Sequence, residues 1–333
     1  MDRWGITFPL QGLPLLAHRE ILQEAEKLGY TDAWTAEVDG GDAFVPIASA
    51  AAWTKKLRFG TAIANIYTRT PTLLALSTSA TAEAAPGRFC LGLGSSSPAI
   101  VERWNGVPLK RPLRRMREIV AFLRQALTGQ KTTAEAKTFK ATGVRLSRTK
   151  EGVPPIFIGA LREKMLRLAG EVGDGAILNW LSPSDVAKVV PIAKAAAKEA
   201  GKNPDEFEFA CRIFVIPTED ENVVRMLGRY IIAGYLTTPV YYPFHEWLGR
   251  GEALRPMMEA WKAGERQDAL SLVPDEVIHD ILVFGDRKAI VDKVRSYVEN
   301  GVTTPVMAII PTAQDPAEQA AQSVAAVREL IPS

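Results

Sequence analysis

The sequence predicts an α/β protein built as one (β/α)8 (TIM) barrel over residues 1–333, with a helical insertion between strands 7 and 8. Three observations predict it. Short apolar runs alternate with longer amphipathic patterns almost from end to end, as repeated βα units do. The strand candidates number eight, and each is a continuous apolar run, as expected for a parallel strand covered on both faces. The length of 333 residues suits a barrel of ~250 residues plus insertions.

The expected strands, in order, are Trp4 to Phe8, Asp32 to Ala36, Leu57 to Ala62, Phe89 to Leu93, Ile156 to Ile158, Gly175 to Asn179, Phe207 to Val215 and Val306 to Ile310. Helices fit between them: Arg19 to Leu28 stops at Gly29, Pro112 to Leu127 opens on a proline and ends near Gly129, and Ser184 to Ala200 is closed by Gly201. Two stretches break the rhythm. Gln130 to Pro155 is polar, with weak alternation around Thr138 to Leu146, and reads as an excursion carrying a hairpin or loop. Pro217 to Asp286 is rich in aromatics (Tyr230, Tyr235, Tyr241, Tyr242, Phe244, Trp247, Trp261) and reads as helices lying over the C-terminal mouth, where such barrels build active sites. Its aromatics serve either as core for those helices or as the lining of a substrate pocket.

Composition narrows the partners. A net charge of +2, without a long block of like charge, points away from nucleic acid and anionic membranes and towards small molecules. Met1 to Leu10 lacks the parts of a signal peptide and no stretch approaches the ~20 apolar residues of a membrane span, so a cytoplasmic location is expected. Cys90 and Cys211 lie in separate strands and are expected in the core. His18, His245 and His279 are isolated, so no metal site is expected.

Three strand-to-loop segments carry the chemistry. Leu91 to Ser97 reads Leu-Gly-Leu-Gly-Ser-Ser-Ser; Ser97 stands where a dinucleotide fingerprint needs its third glycine, and the strand is fourth rather than first. At a barrel mouth, Gly94 lets a ligand approach the backbone while Ser95 and Ser96 offer hydroxyl and amide donors. Ile156 to Gly175 reads as a strand, a tight turn and a helix start, whose free amides form an anion site with Arg162 and Lys164 near enough to add charge. The third is Leu57 to Pro71, Leu-Arg-Phe-Gly-Thr-Ala-Ile-Ala-Asn-Ile-Tyr-Thr-Arg-Thr-Pro.

That last segment resembles the third strand and loop of the bacterial-luciferase-like superfamily, in the branch that uses the deazaflavin coenzyme F420, such as methylenetetrahydromethanopterin reductase and F420-dependent glucose-6-phosphate dehydrogenase. The resemblance implies a non-prolyl cis peptide between Ala62 and Ile63 against the cofactor ring, with Asn65 a polar contact to the ring or its tail. It also implies that Gly159, Ala160, Leu161, Arg162, Lys164 and Met165 hold the phosphate of the cofactor tail. Phe284 to Pro311 is similar to the family's last helix and strand. Trp34-Thr-Ala-Glu37 closes the second strand where the family has an acid, so Glu37 shapes the ring's hydrogen bonds, acts as acid or base, or pairs with an arginine. Val38 and Ser97 stand where the sugar-phosphate-oxidising members have a histidine and a glutamate, which argues against that substrate. The implied activity is hydride transfer between the deazaflavin C5 and a small organic substrate, in a homodimer. The alternatives are an FMN-dependent monooxygenase of the same fold and a cofactor-binding protein without turnover.

Overall fold

The computed structural model describes residues 3–331. Eight parallel strands close a barrel: β1 (Gly5–Thr7), β2 (Asp32–Thr35), β3 (Arg58–Thr61), β4 (Phe89–Gly94), β5 (Ile156–Gly159), β6 (Gly175–Asn179), β7 (Glu208–Ile216) and β8 (Thr304–Ile309). Each pairs in parallel with the next, and β8 pairs with β1 to complete the ring. The expected strands are all present, within one or two residues at each end.

The barrel interior is stacked in levels, because side chains alternate along each strand. At the N-terminal end lies a charged floor. Asp32, fully buried, accepts from Arg58 Nε at 2.6 Å, and Arg58 also donates to Glu208 and to Thr304 Oγ1. Above it Trp34, Cys90, Phe157, Ile177, Ala210 and Val306 form a dry plug, with Trp34 edge-on to Phe157 at 5.5 Å. The plug depends on a glycine: a Cβ on Gly60 would lie 2.3 Å from the Trp34 ring. Both cysteines are buried and free, and burial pushes the Cys90 thiol up to about 12.

Helices α1 (His18–Lys27), α2 (Val45–Trp53), α3 (Pro71–Ala84), α4 (Pro112–Ala126), α5 (Glu163–Val172) and α6 (Pro183–Glu199) surround the barrel. Local chemistry sets their ends. Ser182 and Asp185 form a reciprocal capping box at the start of α6, and Gly201 beyond its end takes φ 77°. The polar excursion is an antiparallel hairpin, Thr132–Glu135 with Lys140–Val144.

Between β7 and β8 the chain runs through α7 (Glu221–Leu236), α8 (Tyr242–Leu248), α9 (Gly251–Ala263), α10 (Arg266–Ser271) and α11 (Asp275–Ile281) before α12 (Arg287–Glu299); α13 (Pro316–Glu329) follows β8. The insertion has its own apolar core, including Ile232, Leu236, Leu254, Met257 and Ile278, which joins the barrel through Trp180, Phe214 and Ala308. Among the described residues no helix is long and apolar enough to cross a membrane.

The seam between insertion and barrel predicts a pH dependence. His245, wholly buried in α8, is held down to about 3 from 6.5 by burial and then by the charge of Arg250, which is itself paired with Asp185. His18 is lowered in the same direction by burial, and its Nε2 accepts from Leu10 N–H at 2.7 Å. Unfolding therefore takes up protons once the pH falls below 6.5, and stability declines towards acid by at most ~1.4 kcal/mol per pH unit for each histidine. The urea midpoint is expected to be lower at pH ~5 than at pH ~7, and His245→Gln is expected to shallow that decline; identical midpoints at the two pH values would contradict it.

Candidate active site

A cavity of about 1260 Å3 opens at the C-terminal mouth, between the strand ends and the insertion. One wall comes from the loops after β3, β4 and β5. Ala62 and Ile63 line it, and the peptide joining them is cis. The chain then pairs Ala64–Asn65 against the end of β4, opposite Leu93 and Gly94. Gly94, Ser95, Ser96 and Ser97 continue the wall, with Ser96 in the left-handed region at φ 58°.

Gly94 has a task that its sequence does not suggest. A Cβ there would lie 2.3 Å from Ile63 Cγ1, and one on Gly159 would lie 3.1 Å from Ile63 Cγ2. The two glycines make room for the isoleucine, which forms the ledge, and both also line the cavity. Asn65 lies behind the wall rather than on it, and its Nδ2 has no partner among the described residues. It is 1% exposed; its Oδ1 accepts from Tyr67 N–H, and its own N–H donates to Glu37. The side chain is used to turn the loop, because a tight backbone turn needs an acceptor close at hand.

Glu37 lines the cavity, but its carboxylate is engaged. Oε2 accepts from Asn65 N–H at 2.8 Å and Oε1 from Arg69 at 2.5 Å, and Arg69 also pairs with Asp42, whose Oδ1 caps the start of α2. Burial works against the charge of Arg69, yet Glu37 and Asp42 together raise its pKa above the ordinary value. Of the three roles expected for Glu37, pairing with an arginine is the one present, and it fixes the loop that carries the ledge. Val38 and Ser97 both face the cavity.

Gly159, Ala160, Leu161, Arg162, Lys164 and Met165 lie together at one end of the same cavity. The amides of Met165 and Leu166 both return to the Arg162 carbonyl, so those of Glu163 and Lys164 have no acceptor within α5, and no side chain caps it. Arg162 and Lys164 are exposed beside these donors, with the Glu163 carboxylate in the same turn.

The opposite wall is aromatic. Tyr230, Tyr235, Tyr241, Trp247 and Trp261 face the cavity, whereas Phe244 is buried in the core. Trp180 packs between Phe214 and Tyr235, each at 4.3 Å, and so ties the roof to the barrel. Asn179, at the end of β6, and Arg212, midway along β7, complete this wall. Neither stood out in the sequence, since each is one polar residue in an apolar strand. The signal available was their parity: each lies two residues beyond an inward-facing member of the plug, Ile177 and Ala210.

An apolar ledge and an uncapped helix start in one chamber, roofed by aromatics at a barrel mouth, have the form of a ligand-binding site of a barrel enzyme. The profile of the luciferase-like monooxygenase family matches residues 7–304, and the chain belongs to that family. It is a luciferase-like oxidoreductase. It is 31% identical over 236 residues, 69% of this chain and 72% of the relative, to a 5,10-methylenetetrahydromethanopterin reductase from Methanolobus tindarius. Among solved structures, the coenzyme F420-dependent tetrahydromethanopterin reductase from Methanopyrus kandleri superposes with a TM-score of 0.78, at 25% identity and 99% coverage of both chains. A type II Baeyer–Villiger monooxygenase from Pseudomonas putida, in complex with FMN, superposes with a TM-score of 0.67 at 17% identity, covering 100% of this chain and 98% of that one, which is a likeness of fold.

Proposed function

We propose that this protein is an F420-dependent oxidoreductase that moves a hydride between the deazaflavin and a small organic substrate held under the insertion. The observation that carries the reading is the pairing of the Ala62–Ile63 ledge with the uncapped start of α5 inside one cavity. The residues present fit such a cofactor. The ledge and Ile177 offer a dry face to a flat ring, and the amides of Glu163 and Lys164 with the Arg162 and Lys164 cations suit a phosphate. Ser95 and Ser96 lie where they would meet the ring's polar edge. When bound, a deazaflavin supplies two-electron hydride transfer at C5. The chain supplies orientation and exclusion of water, with Tyr235, Tyr241 and Trp247 closing the chamber from above. Tyr241 holds its proton, because burial and the neighbouring Tyr235 push it up to about 12. A homodimer, as in the resembling family, belongs to the same proposal.

The activity test is anaerobic: reduced F420 should regain its visible absorbance on adding an acceptor from a panel of carbonyls, enones and imines. An FMN-dependent monooxygenase, the reading that the description of the luciferase-like monooxygenase family suggests, predicts oxygen consumption with reduced FMN instead. A binding protein without turnover predicts a saturable complex and neither reaction. At the phosphate end, Arg162→Gln and Lys164→Gln should each weaken F420 binding about three- to tenfold at low salt, less at high salt, without shifting the thermal midpoint. Unchanged affinity in the double variant would remove the anion site from the account.

A further inference from the structure

The mouth contains a cation that the cofactor reading leaves unused. Arg212 and Asn179 are register partners on the parallel strands β7 and β6, so their side chains emerge side by side at the top of the barrel interior. Both line the cavity, yet Arg212 Nε and Asn179 Oδ1 are shielded from solvent and hydrogen-bond to nothing among the described residues. The guanidinium has a ring neighbour, Phe214 at 4.9 Å, but no ion pair to a carboxylate among those residues. Elsewhere half-buried or buried arginines end on acceptors: Arg58 on Asp32 and Glu208, Arg69 on Glu37 and Asp42, Arg250 on Asp185 and Asp280, and Arg88 and Arg115 on backbone carbonyls. Asn179 Nδ2 donates to Tyr241 Oη at 3.4 Å, which orients the amide and leaves its oxygen free.

Position in the ring assigns this pair to the substrate. Strands β3 and β7 are four apart in a ring of eight, so Arg212 faces the Ala62–Ile63 ledge from across the mouth. A ligand lying on the ledge leaves the space between it and Arg212 for a second molecule.

We propose that Arg212 and Asn179 are specificity-determining residues that hold a monocarboxylate substrate; this rests on reading the mouth as an oxidoreductase's substrate chamber. The planar fork of an arginine matches a carboxylate with two parallel N–H donors. Of the cations that line the cavity, Arg212 rises from a barrel strand, whereas Arg162, Lys164 and Arg266 lie at the starts of α5 and α10, and one guanidinium balances one negative charge rather than the two of a phosphate ester. The unpaired Asn179 oxygen calls for a donor next to the carboxylate, a hydroxyl or an N–H. Tyr235 and Tyr241 give the chamber flat walls, so the body of the substrate is apolar and planar.

Calorimetric titration of the whole protein, free and saturated with F420, with benzoate, cinnamate and naphthoate and with their uncharged primary amides tests this. Each acid should bind at least tenfold more tightly than its amide. Arg212→Gln should erase that preference while leaving F420 affinity within twofold, and Asn179→Asp, which places a competing carboxylate beside Arg212, should weaken the acids at least tenfold. The proposal is overturned if acids and amides bind the wild type alike, if the preference survives Arg212→Gln, or if that variant loses F420 instead of the acids. If the free protein prefers acids through Arg212 yet never binds F420, the carboxylate pocket stands and the cofactor reading falls.

Discussion

Gly94→Ala is expected to leave the protein folded but to weaken F420 binding ten- to a hundredfold. The new methyl group would fall 2.3 Å from Ile63 Cγ1 and 2.7 Å from its Cδ1, so something must move. The clash reaches Ile63 Cβ at 3.0 Å, and a β-branched side chain is stiff at χ1, so the whole ledge residue has to shift within the cavity wall it lines. Overpacking of this kind costs ~1–3 kcal/mol, and here it is exacted mainly when a ring is pressed onto the displaced ledge. Gly159→Ala meets the same isoleucine at 3.1 Å and should give a smaller loss in the same direction. Thermal denaturation alongside cofactor titration separates the two effects. A Gly94→Ala protein with wild-type affinity would show that Ile63 supports nothing.

Asp32→Ala acts at the other end of the barrel and should cost about 3–5 kcal/mol of stability, the usual consequence of stripping one partner from a buried ion pair. Asp32 is wholly buried and accepts from Arg58 Nε, Arg3 Nη1, Thr31 Oγ1 and Trp34 Nε1. Its loss leaves the Arg58 guanidinium under the plug with only Glu208 and Thr304. Glu208→Gln should cost less, ~1 kcal/mol, because the Glu208 side chain is 30% exposed and Arg58 keeps Asp32. Urea denaturation measures both, and equal costs for the two variants would contradict the layered account of the barrel floor.

The fold was legible because its signals are local. A parallel strand buried on both faces shows as one apolar run, as in Phe89–Gly94, where every residue is buried. Helix ends were marked by residues such as Pro112 and Gly201, whose backbone preferences act without reference to the rest of the chain. The wall of the cavity formed by the loops after β3, β4 and β5 was legible for a similar reason: its three segments are each contiguous and follow a strand directly.

What the sequence hid is non-local. Arg212 and Asn179 stand 33 residues apart in sequence, taken as the difference of their numbers, and only strand register sets them side by side. Glu37 read equally as acid, base or ion-pair partner until the fold brought Arg69 to it across 32 residues. The space that Gly94 yields to Ile63 was hidden because a glycine at the end of a strand has the same local appearance whatever side chain packs over it. The place of Asn65 was hidden because its side-chain oxygen accepts from the backbone N–H of Tyr67 in the adjacent turn, a bond that residue type alone does not announce.

The central claim is tested most directly by titrating the purified protein with F420 and, in parallel, with FMN while recording the visible absorbance spectrum. Saturable perturbation of the F420 spectrum at one equivalent per chain, with a much weaker response to FMN, is the predicted result. Saturation by FMN with no response to F420, or no response to either, would contradict it.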